Sequence, residues 1–175
     1  VQHKKVLNTF CYTGGFTISA LAAEAALVHS VDISTNAIQL TKENIQLNKF
    51  DANLHNAVAE DVFAYIENTT TDYDVIILDP PAFAKHLDAR HRAVKGYQRL
   101  NTLALKKIKK GGILFTFSCS QVIDKKLFYD TIVSSAIIAK RNVRILHQLS
   151  QAPDHPVSAF HPEGDYLKGL VLYVE

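Results

Sequence analysis

Short apolar segments alternate with amphipathic helical segments along almost the whole chain, and this alternation is typical of a parallel sheet covered by helices on both faces. The apolar segments predict seven strands, at residues 4–10, 28–32, 54–59, 74–79, 112–118, 142–149 and 169–174. Helical periodicity predicts five helices, at residues 15–26, 35–48, 61–68, 93–109 and 124–139. We therefore expect an α/β fold that is a Rossmann-like, mostly parallel seven-stranded sheet forming a single domain over residues 1–175.

The alternation stops near the C-terminus. Residues 151–168 contain three prolines and a glycine and show no helical periodicity. The last two strands are therefore expected to form an antiparallel hairpin added to the parallel sheet, because no crossover helix connects them. Two helix boundaries also carry signals: Ser34 is the predicted N-cap of the helix at 35–48, and Gly111-Gly112 is predicted to end the helix at 93–109.

The cysteines and the hydropathy narrow the class of protein. Cys11 and Cys119 lie far apart, and the eight histidines form no paired ligand motif. We therefore expect no disulfide framework, no metal site and a cytoplasmic, reducing environment. No apolar run approaches the length of a membrane span, so no membrane partner is expected. Because the chain has no Met and begins almost directly on a strand, we expect it to be a fragment of a longer protein.

Positive charge is concentrated in one stretch, although the net charge of the chain is only +2. Nine Lys or Arg residues and a single acid lie between Lys85 and Lys110, and this density favours a polyanionic partner. The residues at 106–110 are explained equally well as cations that complement the C-terminal end of a helix. Phosphate contacts are expected from the earlier members, which are Lys85, Arg90, Arg92, Lys95 and Arg99.

Polar or glycine residues follow the predicted strands at the points where the strands end, which is the edge where open α/β sheets bind ligands. Gly14-Gly15 follows the first strand and would let a ligand approach the backbone closely. The pair lacks the spaced glycines of a pyrophosphate-binding fingerprint. Asp32 ends the second strand, 17 residues after Gly15, and is placed to accept hydrogen bonds from ribose hydroxyls. Asp61 follows the third strand and either binds an adenine amino group or caps the next helix.

A glycine turn without a pyrophosphate signature, two acids and a terminal hairpin favour S-adenosylmethionine over a nicotinamide dinucleotide. The sequence therefore predicts the fold of a class I methyltransferase that depends on S-adenosylmethionine. The predicted cofactor contacts are Tyr12, Thr13, Gly14, Gly15, Phe16, Asp32, Ile33, Asp61, Val62 and Asp79.

A carboxylate and two prolines end the buried strand at 74–79. Neither Pro80 nor Pro81 can donate a backbone hydrogen bond, so the turn is stiff and its carbonyl groups are left as acceptors beside Asp79. Such a rigid group suits a planar, amino-bearing ligand such as a nucleobase, and a solvated turn that ends the strand is the alternative. Phe83 either stacks on the base or anchors the loop in the core.

Cys119 lies between two serines where the strand at 112–118 meets a loop, and it lies beside Asp79 if the two strands are neighbours. A free cysteine is more often a core residue, as we expect for Cys11, but the polar flanks of Cys119 favour a nucleophile. Addition of a thiolate to carbon 6 of cytosine makes carbon 5 nucleophilic toward a methyl sulfonium. Asp79 would supply a proton or hydrogen bond at nitrogen 3, and the Pro-Pro carbonyls would accept from the exocyclic amine.

Several segments carry a resemblance to a known family, and they occur in order along almost the whole chain: Leu7–Phe16, Ser30–Ser34, Ile77–Lys85, Lys95–Tyr97, Leu100-Asn101, Phe117–Ser120, Asp154–Val157 and Tyr166–Gly169. With these segments the chain resembles the bacterial large-subunit ribosomal RNA cytosine-C5 methyltransferases of the RlmI type. The resemblance implies that Cys119 is the nucleophile, that Asp79 contacts the base, and that Asp32 and Asp61 hold the cofactor.

The same resemblance implies a role in rRNA processing, with ribosomal RNA of the large subunit as the partner. It also implies a PUA RNA-binding domain and a second small domain upstream, and it makes His155 and Lys168 active-site neighbours. The guanine-N7 methyltransferases fused in the RlmK/L proteins look similar through the Asp-Pro-Pro turn but have no cysteine at the position of Cys119. Methyl transfer to a base nitrogen, with Cys119 structural, and an inactive cofactor-binding scaffold are therefore the alternatives.

Overall fold

A computed structural model describes residues 1–175, which form one seven-stranded sheet with five α-helices. The strands are β1 (Lys5–Thr9), β2 (Leu27–Asp32), β3 (His55–Ala59), β4 (Tyr73–Leu78), β5 (Ile108–Ser118), β6 (Val143–Leu149) and β7 (Lys168–Val174). The helices are α1 (Gly15–Ala22), α2 (Thr35–Leu47), α3 (Val62–Asn68), α4 (Arg90–Lys107) and α5 (Lys125–Ala139). None of these helices combines the length and the apolarity that crossing a membrane requires.

The strand order is β3-β2-β1-β4-β5-β7-β6. The first five strands of this order are parallel, and β7 is inserted antiparallel between β5 and β6. The predicted α/β class, the parallel sheet and the C-terminal antiparallel hairpin are thus confirmed. The direction of winding reverses between β1 and β4, so the ends of these two strands flank the crevice where doubly wound sheets bind ligands.

Helices cover both faces of the sheet, as the near-continuous apolar strands require. One face packs under α3, α4 and α5 in a cluster of 22 buried residues that includes Leu7, Ile76 and Leu114. The other face packs under α1 and α2 in a cluster of 9 buried residues that includes Val6 and Val28. Because both faces are filled, the carboxyl-terminal edge of the sheet is left for ligands.

Two predicted helix boundaries have different outcomes. The Ser34 cap is confirmed, since its hydroxyl oxygen accepts a hydrogen bond from the Ala37 N–H at 3.3 Å. The stop at Gly111-Gly112 is wrong, because α4 already ends at Lys107 and the next residue, Ile108, pairs with Tyr73 in the sheet. The glycines lie inside β5 instead. A Cβ on Gly112 would come within 2.9 Å of the Asp74 carbonyl oxygen, so the close approach of β4 and β5 requires the glycine there.

Candidate active site

The loop between β1 and α1 has a strained backbone that glycine makes possible. Gly14 has a φ of 85° and caps α1 without a side chain, and Tyr12 also has a positive φ of 49°. A Cβ on Gly14 would lie 2.8 Å from Cγ2 of Thr41, whereas a Cβ on Gly15 would have no atom within 4 Å. Gly14 is therefore required by the fold, and Gly15 borders open space in which a ligand can lie.

Two side chains of α2 hold this loop, and sequence reasoning missed both. The Thr41 hydroxyl donates to the Tyr12 carbonyl at 2.9 Å, and the Asn44 amide donates to the Thr13 carbonyl at 2.8 Å. No local pattern marks either residue, because only the packing of α2 against the loop brings them there. The loop is thus fixed before any ligand binds.

Asp32 lies at the end of β2 and is held by two backbone N–H groups. One carboxylate oxygen accepts from Tyr12 at 3.0 Å, and the other accepts from Ser34 at 2.9 Å. Each oxygen keeps a free lone pair for a ligand hydroxyl. Beside it, the side chains of Tyr12 and Ile33 are 71% and 74% exposed, and Phe16 stacks on Phe117 with one side open to solvent. An oriented carboxylate beside exposed apolar side chains and the open space at Gly15 fits an adenosine group.

Asp61 and Val62 follow β3. Asp61 caps α3, because one carboxylate oxygen accepts from the Ala64 N–H at 2.9 Å, while its second oxygen makes no hydrogen bond within the chain. The Val62 side chain is 2% exposed and belongs to the core, so the predicted cofactor contact of this residue cannot come from its side chain. Only the backbone of Val62 is available to a ligand, next to the free oxygen of Asp61.

The two glycines offer a matched pair of substitutions. Gly14→Ala is expected to lower the free energy of unfolding by about 1–3 kcal/mol, because it combines a left-handed φ with a steric clash. Gly15→Ala should leave the stability unchanged and raise the Kd for S-adenosylhomocysteine about tenfold or more, because the new methyl group enters the open space. Thermal denaturation and titration calorimetry of both variants test this assignment. Equal effects of the two variants on stability would contradict it.

Cys119 is half-buried at the end of β5, and its thiol faces the Asp-Pro-Pro loop. The Sγ atom lies 3.8 Å from the Pro80 carbonyl oxygen and can donate to it. The residue lines a cavity of about 270 Å³ together with Ala82, Ala84, Lys85, Gln121 and Tyr166. The other cysteine, Cys11, is buried in the core, and burial raises the pKa of its thiol to about 11. The structure thus separates an accessible thiol from a sealed one.

The serines on either side of Cys119 fix the turn and are fully buried. The Ser120 hydroxyl donates to the Ala84 carbonyl at 2.6 Å, which ties the turn to the Asp-Pro-Pro loop. The ammonium group of Lys168, on β7, donates to the Ser120 carbonyl at 2.7 Å. In the sequence, the polar residues beside Cys119 indicate a functional site. The structure shows that they restrain the backbone which carries the thiol.

The electrostatic environment of the thiol is mixed. Burial, followed by the negative charge of Asp79, raises the pKa of Cys119, and the nearby charge of Lys168 acts in the opposite direction. Asp79 keeps contact with solvent, yet the surrounding protein displaces enough water to raise the pKa of its carboxyl group. Burial lowers the pKa of Lys168, while the charges of Cys119, Asp124 and Asp165 partly offset this.

Phe83 does not line the cavity. Its ring packs against Tyr97 at a centroid distance of 4.6 Å and against Phe63 at 6.3 Å, and it leaves no room for a side chain at Gly96. The structure therefore corrects the expectation that Phe83 stacks on a base and supports the loop-anchor alternative. The aromatic side chain that lines the cavity is Tyr166, which lies in one of the segments that carry the family resemblance.

The predicted phosphate contacts divide into paired and unpaired side chains. Arg90 forms an ion pair with Asp124 at 3.2 Å, and Arg99 lies 3.8 Å from Glu67 and 5.1 Å from the centre of the Phe63 ring. Both guanidinium groups are therefore partly engaged, but exposed ion pairs of this kind are weak and leave N–H donors for a phosphate, so both phosphate contacts stay predictions. The other three predicted phosphate contacts, Lys85, Arg92 and Lys95, are exposed and make no ion pair, and Lys85 borders the Cys119 cavity.

The remaining residues singled out in the sequence have different surroundings. Pro80 is buried and its carbonyl faces the Cys119 thiol, whereas Pro81 is exposed. His155 is exposed and lies 3.3 Å from Asp154, whereas Lys168 is buried beside the thiol turn. No group of three or more His, Cys, Asp or Glu side chains is arranged to hold a metal ion.

The sequence is similar to curated proteins over almost the whole chain. The chain is 42% identical over 177 aligned residues to the ribosomal RNA large subunit methyltransferase I of Escherichia coli strain K12, and to the protein of the same name from Shigella boydii serotype 18. Each alignment covers 99% of this chain and 45% of the relative. The chain therefore spans about half the length of the curated relatives it matches.

Solved structures share the fold. Two of them are SMU.776, "a putative methyltransferase complexed with SAH", and "a putative sam-dependent methyltransferase from Streptococcus mutans". Each matches 98% of this chain and 45% of its own chain, with a TM-score of 0.85 and 25% sequence identity. Trm5b from Pyrococcus abyssi matches over 99% of this chain and 45% of its own at a TM-score of 0.72 and 21% identity, which shows the fold alone. The class I methyltransferase fold expected from the sequence is confirmed. A family model described as Conserved hypothetical protein 95 matches residues 1–134, and the chain belongs to that family.

Proposed function

We propose that this chain is the methyl-transferring domain of an enzyme that methylates carbon 5 of a cytosine in ribosomal RNA through a covalent adduct with Cys119. The observation that carries the proposal is the accessible thiol of Cys119, which lines a cavity of about 270 Å³ and lies 3.8 Å from the Pro80 carbonyl. A thiol with only a packing role would be sealed in the core, as that of Cys11 is.

The prediction of S-adenosylmethionine as the cofactor is confirmed at the level of the fold, since a matching structure at 25% identity contains S-adenosylhomocysteine. In this chain, Asp32 would accept hydrogen bonds from the ribose hydroxyls, and the free oxygen of Asp61 would face the adenine amino group. The open side of Gly15 leaves room for the ligand against the backbone. When bound, the cofactor supplies an electrophilic methyl group.

Cys119 would act first on the base. Its thiolate gives an electron pair to carbon 6 of the cytosine, and the electrons of the C5–C6 double bond move into the ring. This makes carbon 5 nucleophilic enough to accept a methyl group. Release of the carbon 5 proton to solvent then restores the double bond and breaks the S–C6 bond, which regenerates the thiolate.

Asp79 and the Asp-Pro-Pro loop would hold the ring in position. Burial raises the pKa of Asp79, so its carboxyl group takes up a proton more readily than a solvated one and can stabilise charge at nitrogen 3. The carbonyl of Pro80 or Pro81 would accept from the exocyclic amine, which selects cytosine over uracil. Tyr166 offers an aromatic face within the same cavity.

RNA is the partner that the surface favours. Lys85 borders the cavity, and Arg92 and Lys95 lie exposed in the first turns of α4, so all three are available to RNA phosphates when a base is flipped out. Ribosomal RNA follows from the name of the relatives, of which this chain spans about half. We propose residues 1–175 as a single methyltransferase domain, with further RNA contacts made by other parts of the full-length enzyme.

A second candidate is methyl transfer to a ring nitrogen, with Cys119 in a structural role. The raised pKa of Cys119 favours it, because a protonated thiol is a poor nucleophile. Transfer to a nitrogen lone pair needs no covalent activation. The two candidates therefore differ in whether a protein–RNA bond forms.

A mechanism-based trap separates them. RNA that contains 5-fluorocytosine is expected to become covalently attached to the full-length enzyme in the presence of S-adenosylmethionine, because fluorine at carbon 5 cannot leave as a proton does. Denaturing gel electrophoresis reveals the adduct, and peptide mass spectrometry should locate it on Cys119. Methylation of ordinary ribosomal RNA with no trapped adduct would favour the nitrogen-directed reaction, and absence of both would favour an inactive cofactor-binding scaffold.

A further inference from the structure

Lys168 is a buried cation without an ion pair. Its residue is 6% exposed, and its only side-chain hydrogen bond goes to the Ser120 carbonyl at 2.7 Å. Removing an ammonium group from water is costly unless another charge compensates for it. The salt bridges nearest in sequence leave it out, since Asp165 pairs with Lys125 and Asp124 pairs with Arg90. One hydrogen bond to a carbonyl therefore compensates only in part for burying the ammonium group at this position.

The position of Lys168 on the sheet brings it to the thiol. It is the first residue of β7 and pairs with Ser118, the last residue of β5. Cys119 is the next residue of the chain, and Ser120, which accepts the hydrogen bond, follows it. Lys168, on β7, therefore restrains the carbonyl of Ser120, the residue after Cys119. Cys119 itself follows β5, the strand that pairs with β7.

The charged groups around the thiol oppose one another. Asp79, after β4, contributes a negative charge that disfavours a thiolate, and Lys168 contributes a positive charge that favours it. Tyr97, on α4, faces the same group with a buried hydroxyl. The pKa of Lys168 is in turn raised by the charges of Asp124, at the start of α5, and Asp165, in the loop before β7. The charge of Lys125 lowers it. Among the groups that act on Cys119, the favourable charge comes from Lys168.

We propose that Lys168 is the positioning residue for Cys119: its ammonium group fixes the turn at residues 118–120 through the Ser120 carbonyl and stabilises the thiolate against the charge of Asp79. This inference rests on the proposed function, in which Cys119 is the nucleophile. When Asp79 is protonated and donates a hydrogen bond to nitrogen 3 of the base, the opposing charge is absent while that of Lys168 remains. The thiolate would then be favoured when substrate is in place.

The reactivity of the thiol tests this without any RNA. The rate at which iodoacetamide alkylates Cys119 in the full-length protein is measured from pH 6 to pH 10, with the modified peptide quantified by mass spectrometry. Lys168→Met and Lys168→Gln are expected to slow alkylation near neutral pH about five- to tenfold and to move its titration to higher pH, because only the thiolate reacts. Lys168→Gln keeps a donor for the Ser120 carbonyl and removes only the charge.

Three controls bracket the result. Lys168→Arg should stay within about twofold of the unmodified protein, since it retains the charge. Lys125→Met, which removes an exposed lysine of the neighbouring ion pair, should not change the rate, and Cys11 should react slowly in every variant. Asp79→Asn should speed alkylation. If the pH dependence of Cys119 alkylation is the same in Lys168→Gln as in the unmodified protein, the inference is overturned. If alkylation of Lys168→Gln shifts to higher pH as expected but the fluorocytosine trap yields no adduct, only the proposed function is overturned.

Discussion

Cys119→Ala is expected to reduce methyl transfer to ribosomal RNA by about four orders of magnitude or more, because no other accessible thiol reaches the cavity and carbon 5 of cytosine is unreactive without a covalent adduct. The measurement is single-turnover transfer of a radiolabelled methyl group by the full-length enzyme to ribosomal RNA from a strain that lacks the enzyme. Mass spectrometry of the RNA nucleosides identifies the modified atom in the same samples.

The control for this variant is the cofactor site. Cys119 lies at the end of β5, whereas Asp32 and Gly15 lie beside the ends of β2 and β1, so the affinity for S-adenosylhomocysteine should not change. Cys119→Ser should be almost as inactive as Cys119→Ala, because a hydroxyl group does not ionise at neutral pH. Full turnover by Cys119→Ala would exclude the covalent route and leave transfer to a ring nitrogen.

The parallel sheet and its C-terminal hairpin follow from features that are local in sequence. Alternating apolar and helical segments predict the parallel sheet, and the missing crossover helix between β6 and β7 predicts the antiparallel hairpin. The end of α4 was not predictable in the same way. Gly111-Gly112 has the composition of a helix stop, but pairing of Ile108 with Tyr73 in the sheet ends the helix earlier, and this contact joins residues far apart in the chain.

The candidate site divides in the same way. Asp32, Asp79 and Cys119 were predictable because each ends or follows a strand, and the ends of parallel strands meet at one edge. Phe83 and Tyr166 were not distinguishable, since a sequence does not show which aromatic ring packs in the core and which faces a cavity. Lys168 shows the limit most clearly: only its pairing with Ser118 across β5 and β7 makes it a neighbour of the thiol.

Asp79→Asn is expected to lower methyl transfer about 10²- to 10³-fold, because an amide can donate a hydrogen bond to nitrogen 3 but cannot transfer a proton to it. The same substitution removes the negative charge that raises the pKa of Cys119, so alkylation of the thiol should become faster while methylation becomes slower. Opposite changes in these two rates would separate a role on the base from a role on the thiol. Parallel losses of both would indicate a distorted loop and contradict the assignment.

The melting temperature of Asp79→Asn gives an independent check on Asp79, because this substitution should stabilise the fold while it slows methyl transfer. Burial raises the pKa of its carboxyl group in the folded state, so the native protein favours the protonated form and loses stability as the pH rises through that pKa. The charged carboxylate is disfavoured in the fold relative to the unfolded chain, so above that pKa Asp79→Asn should have a higher melting temperature than the unmodified protein. The difference should shrink as the pH falls and vanish below the pKa of an unfolded aspartate, near 4, where the carboxyl group is protonated in both states. Melting curves between pH 3 and pH 7 measure this, and a variant that is less stable at pH 7 would show that the carboxylate stabilises the loop instead of serving the reaction.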